Sequence, residues 1–246
     1  MASLVGELLN ATAGTSVLTE VERAGGNPFL LTELVRALLE QGGVHVVDGR
    51  AELRAVPLPA SFQRMVLRRL SFLSSAAMEL LSLASVLGST FRLRDLALVL
   101  RCSEVDLAPV VREAMASDVL ADSGERLGFR HELVRDAIYH DIPLAVRKGL
   151  HTAVAHRLAA AGATAPQVAA HFATGASPGD TEAVEWVGRA AQEAAPHAPR
   201  VAAKLLAQAV EIGGPSLRDR VTLLTERASM LVTAGLLSEG DALGHR

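Results

Sequence analysis

The chain has 246 residues, half of them apolar, and a net charge of -3. This composition suits packed cores, excludes a disordered polymer and leaves no global field to recruit nucleic acid or an anionic membrane. Aromatic residues make up only 3% while alanine and leucine dominate, which favours a helical interior of small and medium side chains. The single cysteine, Cys102, rules out an internal disulfide and a thiolate metal cluster, and its helical pattern predicts a small buried apolar residue. The N-terminal Met-Ala-Ser-Leu-Val-Gly-Glu has no basic region and carries Glu7 early, which is wrong for a secretory signal. With no apolar run of about eighteen residues for a membrane span, a soluble protein of the reducing cytoplasm is expected.

In chain order, short helices are expected over 4–10 and 16–24, then a longer one over 28–41. The segment Gly25-Gly26-Asn27-Pro28-Phe29 joins the last two. A glycine ends the first helix in a left-handed conformation, Asn27 caps the next, and Pro28 takes the first helical position, where its missing N–H costs nothing. This junction reads either as an ordinary helix cap or as a corner whose free N–H groups and positive dipole face a ligand. The ladder Leu30, Leu31, Leu34, Val35, Leu38 and Leu39 supplies the buried face, and Gly42-Gly43 stops the helix. A hairpin follows, with strands over 44–47 and 50–54 around Asp48-Gly49, and Pro57-Leu58-Pro59 marks a boundary.

Helices are then expected over 61–73, 76–87 with Ser74 or Ser75 as cap, 93–100, and 104–117 with a Ser103/Asp106 capping box. A hairpin over 119–122 and 127–130 turns at Ser123-Gly124-Glu125. Three helices followed by this wing are the layout of a winged-helix domain. Helices over 131–140 and 144–160 pack behind it on Leu133, Val134, Ala137, Ile138, Leu150, Val154 and Leu158. Beyond Gly162, alanine-rich helices are punctuated at 177–180, 196–199 and 213–216. The segments starting at 198 and 235 align 37 residues apart, near the roughly 34-residue period of tetratricopeptide repeats, although a generic stack of helical hairpins explains them too. The last helix stops at 244–246 without a capping repeat, which suggests truncation. The expected fold is therefore mainly α: a small helical unit with a hairpin (1–55), a winged-helix-like domain with trailing helices (56–162), and tetratricopeptide-like α-α hairpin repeats (163–246).

Gly-x-x-x-x-Gly-Lys-Ser/Thr occurs nowhere in the chain, so the cradle and lysine that hold a triphosphate are absent and ATP hydrolysis by this chain alone is not expected. His-Glu-x-x-His, Gly-x-Ser-x-Gly and a dinucleotide glycine fingerprint are absent too. His151 and His156 lie about 140° apart on a helix, a poor metal pair. His131 stands where the second wing strand passes into a helix, so its imidazole either caps that helix or donates to a phosphate oxygen. A winged helix can also read DNA, but the expected recognition helix and its end carry Glu104, Asp106, Glu113 and Asp118 against Arg112, which repels a phosphate backbone and favours a protein-facing role. Arg64, Arg68 and Arg69 form a small basic stripe that reads as a solvated face.

The Gly26-Asn27-Pro28-Phe29 corner, the Val56-Pro57-Leu58-Pro59 entry, the run from Phe129 through Arg130-His131-Glu132-Leu133-Val134-Arg135-Asp136-Ala137-Ile138 to Tyr139, and the helices after it together resemble one family. It is the signal-transduction ATPases with numerous domains, in particular the large ATP-binding transcriptional regulators of the LuxR type. The resemblance implies a helical lid over 1–55, a winged helix and the start of a repeat sensor. It also implies that Pro28 lies against adenine, that His131 senses the nucleotide's phosphates, and that Gly26 and Asn27 shape the corner without ligating. The phosphate-binding loop and magnesium-binding strand would precede residue 1, and further repeats and a DNA-binding domain would follow residue 246. ATP or ADP would then belong to the full-length parent, with no tight binding by this chain alone. The implied partners are the missing ATPase core, a protein or small-molecule inducer at the repeats, and DNA only through the absent output domain, with no membrane. A helical scaffold for a protein partner, with no nucleotide involved, is the alternative.

Overall fold

The computed structural model describes residues 2–9, 11–47, 49–53, 57–214 and 220–235. Over these residues the chain is mainly helical, with thirteen α-helices and two three-stranded sheets. No described helix is long and apolar enough to cross a membrane. Several expectations fall outside the described residues: the helix end at Asn10, Asp48 of the first turn, Arg54 of the return strand, Val56, residues 215 and 216, the repeat match over 236–240, and the stop at 244–246. The chain divides into two compact units, Met1–Leu144 and Ala145–Arg246.

The first unit opens with α1 (Ala2–Leu9), β1 (Thr12–Ala13), α2 (Thr15–Arg23), α3 (Pro28–Glu40), β2 (Val44–Val47) and β3 (Arg50–Leu53). Asn27 caps α3, its Oδ1 accepting from the Phe29 and Leu30 N–H groups, with Pro28 at the first position. Leu30, Leu31, Leu34, Val35 and Leu38 are each no more than 5% exposed, and burying side chains of this size contributes roughly 1.5–3 kcal/mol apiece. Leu39, by contrast, is exposed. The expected hairpin forms in the register Val44 to Leu53, but β1 adds a parallel third strand beside β3. Two residues are too few to carry the alternation by which a strand is read.

That added strand has a structural reason. Helix α2 starts after Gly14, which has no side chain to cap it, and Glu52 of β3 does so from 36 and 37 residues away. Its carboxylate accepts from the N–H groups of Thr15 and Ser16 and from the Ser16 hydroxyl, while Ser16 Oγ accepts from Leu53 N at 2.8 Å. A Cβ on Gly14 would stand 2.7 Å from the Ala51 carbonyl oxygen and collide with Glu52. The Ser16 hydroxyl and then its N–H hold the Glu52 carboxyl below its ordinary pKa.

The unit continues with α4 (Ala60–Arg69), α5 (Ser75–Leu87), β4 (Thr90–Phe91), α6 (Leu93–Leu100), α7 (Glu104–Ala116), β5 (Leu120–Asp122), β6 (Leu127–Phe129) and α8 (Glu132–Asp141). The second sheet has the order β4-β6-β5, antiparallel throughout. β4 is another two-residue strand without a readable period; Phe91 buries its ring beside Phe129, 6.2 Å between centroids. α4 stops four residues before the expected end, because Leu70 and Leu73 continue the buried pattern through a turn instead of a helix. The capping box of α7 forms as read. Cys102 is not buried in a helix; it follows α6 in a turn and is only half-buried. Three of the four carboxylates expected to repel DNA have structural partners: Asp106 closes the capping box of α7, Glu113 accepts from Ser74 N and Oγ, and Asp118 pairs with Arg130 at 3.1 Å.

The second unit stacks α9 (Leu144–Ala160), α10 (Ala165–Gly175), α11 (Thr181–Ala194), α12 (Pro199–Gly213) and α13 (Arg220–Thr233). Small residues permit the close packing: Ala165, Ala169, Val187, Ala190 and Ala209 form one buried cluster, and a Cβ on Gly175 would stand 2.7 Å from the Lys148 carbonyl oxygen. His151 and His171 are buried against each other, Nδ1 to Nδ1 at 3.0 Å. Burial pushes His171 down to about 4. His156 lies on the edge of Phe172 and 3.4 Å from Glu182.

Two pH responses follow from these groups. Glu52 has a depressed pKa when folded, so its contribution is present above the unfolded carboxylate value and vanishes as pH falls through the folded one. Chemical unfolding should find Glu52→Gln less stable than the parent at neutral pH and indistinguishable from it in strong acid. His171 must stay neutral to stay buried, so its stability contribution is complete above the unfolded value near 6.5 and lost as pH falls toward about 4. That loss is on the order of 3 kcal/mol, and unfolding of His171→Phe measured over the same range should lack most of it.

Candidate functional site

The site is built where the end of α2 meets the start of α8, both within the first unit. After α2 the chain turns through Gly25 and Gly26, whose φ angles of 56° and 75° lie in the left-handed region. Such angles cost a side-chain-bearing residue roughly 1–2 kcal/mol. Only at Gly25 does a neighbour add a second demand: a Cβ there would lie 2.8 Å from His131 Nδ1 and 3.2 Å from the Arg130 carbonyl oxygen. At Gly26 the space is open.

His131 holds the N-cap position of α8, yet its side chain makes no capping hydrogen bond. The capping alternative therefore does not describe its ring. Instead Nε2 lies 3.4 Å from Asn27 Nδ2, joining residues 104 positions apart. In the tautomer that accepts from Asn27, the proton sits on Nδ1, which is buried beneath Gly25 with no hydrogen bond of good geometry. Burial first, and then the Arg130 guanidinium, lower the His131 pKa from its ordinary value, against the opposing pull of Asp118 and the Ala24 carbonyl. Burial and Arg130 thus favour the neutral ring, and the Asn27 contact at its Nε2 is long and weak.

Asn27 and His131 open onto one cleft of about 430 Å³, whose other walls include Phe29, Arg69, Phe72 and Arg130. Arg69 stacks over the Phe29 ring at 4.3 Å, and Phe72 is 69% exposed. Across Arg130 a second hollow of about 520 Å³ reaches Gly25, Glu22 and Arg23. Pro28 is exposed at the start of α3, between two residues of the cleft wall but not in it. Gly26 is exposed beside it. Among the described residues no cluster of three or more metal-ligating side chains occurs.

Sequence reading missed the residues that hold this corner in place. Arg23, at the end of α2, pairs with Glu20 at 2.6 Å, with Glu132 at 3.8 Å and with Asp136 of α8. Asp136, 8% exposed, also accepts from Arg135 at 3.0 Å, and Arg135 donates Nε and Nη2 to the Ser85 carbonyl oxygen while stacking over Tyr139. Arg23 and Asp136 are 113 positions apart, and no local pattern links them. Gly25 was the legible part, since two successive glycines after a helix announce left-handed turns.

Substituting the two glycines separates backbone strain from the histidine contact. Gly26→Ala should lose only the φ cost, roughly 1–2 kcal/mol, and leave the His131 ring resonance in place. Gly25→Ala should lose more and shift that resonance, as read by urea unfolding and imidazole NMR. No protein-family model, curated protein or solved structure matches the chain.

Proposed function

We propose that the chain is the regulatory part of an ATP-dependent transcriptional regulator of the LuxR type. It would supply the cover and the reporter of a nucleotide-state switch and would not turn over ATP by itself. The observation that carries this reading is the seating of His131 against Gly25 and Asn27, which joins the two motifs of the family resemblance in one cleft. A phosphate oxygen accepts from a ring N–H, whereas in the 3.4 Å contact the ring nitrogen accepts from Asn27, so a phosphate would take the place of Asn27 on a ring protonated at Nε2, the form that burial disfavours and phosphate favours. Arg130 and Arg69 on the same cleft add the positive charge that a phosphate requires. Pro28 would lie against the adenine once an ATPase core closes the cleft.

The order α5-β4-α6-α7-β5-β6 with the sheet β4-β6-β5 supports a winged helix. The stack from α10 to α13, with short connections over 176–180 and 195–198, supports a tetratricopeptide-like sensor that takes a protein or small-molecule inducer. On this reading ADP clamps the winged helix onto the core, and inducer binding releases it for ATP exchange, a two-state element biased at two sites. DNA would be reached only through a separate output domain, and the protein would act in the cytoplasm.

The native gene product gives the test. Its mass should exceed the 25.8 kDa of this chain, with a Gly-x-x-x-x-Gly-Lys-Ser/Thr loop upstream of Met1, and the purified chain should show no ATP turnover above background. A native product of this length alone, or ATP turnover by the chain, would overturn the reading.

A further inference from the structure

We propose that Arg23 is a positioning residue for His131, and that its ion pair with Asp136 is the clasp that keeps the imidazole closed under Gly25. The inference rests on the reading of His131 as the phosphate-facing group, and it adds how that group is set and released. The turn from α2 into α3 touches α8 at three points in succession. Arg23 reaches Asp136 and Glu132, Gly25 covers Nδ1 of His131, and Asn27 meets its Nε2. The Gly25 contact is steric, the Asn27 contact is long and the Ala24 carbonyl pulls least on the ring, so the ion pair is the strongest attraction across the joint.

The clasp is anchored on one side only. Asp136 is held to the body of the unit by Arg135, which is itself fixed on the Ser85 carbonyl of α5. Among the described residues, Arg23 is tied, apart from α8, only to Glu20 of its own helix. Loss of the Arg23–Asp136 pair would therefore leave Asp136 in place and free the α2 end, with Gly25 and Asn27 attached to it. The ring would then meet water and take a proton more readily.

The charged groups about His131 are Arg130 beside it, Glu132 after it on α8, Asp118 after α7, Arg69 of α4, and Glu22 and Arg23 of α2. Of these, Arg130 and Asp118 bear most strongly on the imidazole. Because removing Arg23 also removes a cation, it is the charge-conserving Arg23→Lys, together with amide exchange at Gly25 and Asn27, that separates movement of the corner from the loss of a nearby charge.

The test is an imidazole NMR titration of the full chain, with amide exchange at Gly25 and Asn27 and helix content followed in parallel. In Arg23→Gln the His131 midpoint should rise toward the ordinary histidine value and the two amides should exchange about tenfold faster, with helix content retained. Arg23→Lys keeps the charge but loses the fork, and should fall between. An unmoved His131 midpoint in a folded Arg23→Gln overturns the proposal; should that variant fail to fold, an unmoved midpoint in Arg23→Lys overturns it equally. Nucleotide plays no part in these measurements, so a chain that shows the coupling but binds no ADP would sink the phosphate reading and leave the clasp standing.

Discussion

One joint organises the first unit: a glycine that can bear no side chain lies over a histidine ring, and a buried ion pair closes the joint one turn away. Each part constrains the others. The left-handed φ at Gly25 turns the chain so that Asn27 reaches both its own helix and His131. The Arg23–Asp136 pair holds that turn down, and Arg135 relays the restraint to Ser85 of α5. Arg23 is part-exposed and Asp136 keeps Arg135 as a second partner, so the pair adds little net stability compared with an apolar replacement, and its loss leaves Asp136 still partly compensated. Such a pair specifies one docked geometry more than it strengthens the fold.

The same unit solves a second junction with a distant carboxylate. Glu52 caps α2 across the sheet, so the small β1-β3-β2 sheet and the helix preceding the corner are fixed together. One end of α2 is thus held by Glu52 and the other by Asp136. The helix is the mechanical link between the hairpin and His131, and neither of its restraints comes from its own sequence.

Local signals were legible and distant ones were not. Asn27-Pro28 announced the start of α3, Ser103 with Asp106 announced α7, and the span of α9 was read to the residue, because caps and helical periodicity act within a few positions. The two-residue strands β1 and β4 exist only through pairing with partners 36 or more residues away, so nothing in their own composition marks them. At the site, the residues that form the corner were visible as a motif. The pairing of Arg23 with Asp136 was not, since an arginine ending one helix and an aspartate within another are ordinary on their own. The burial of His151 against His171 was equally hidden, because spacing compares neighbours on one helix while this contact crosses two.

The most direct measurement of the central claim is an ADP titration of the isolated chain followed by backbone and imidazole NMR. If the corner reads phosphate, shifts appear only at high nucleotide concentration, concentrate over residues 25–31 and 130–132, include the His131 ring, and fade in His131→Ala. Shifts scattered over the second unit, or an unmoved His131 ring at saturating nucleotide, would contradict it.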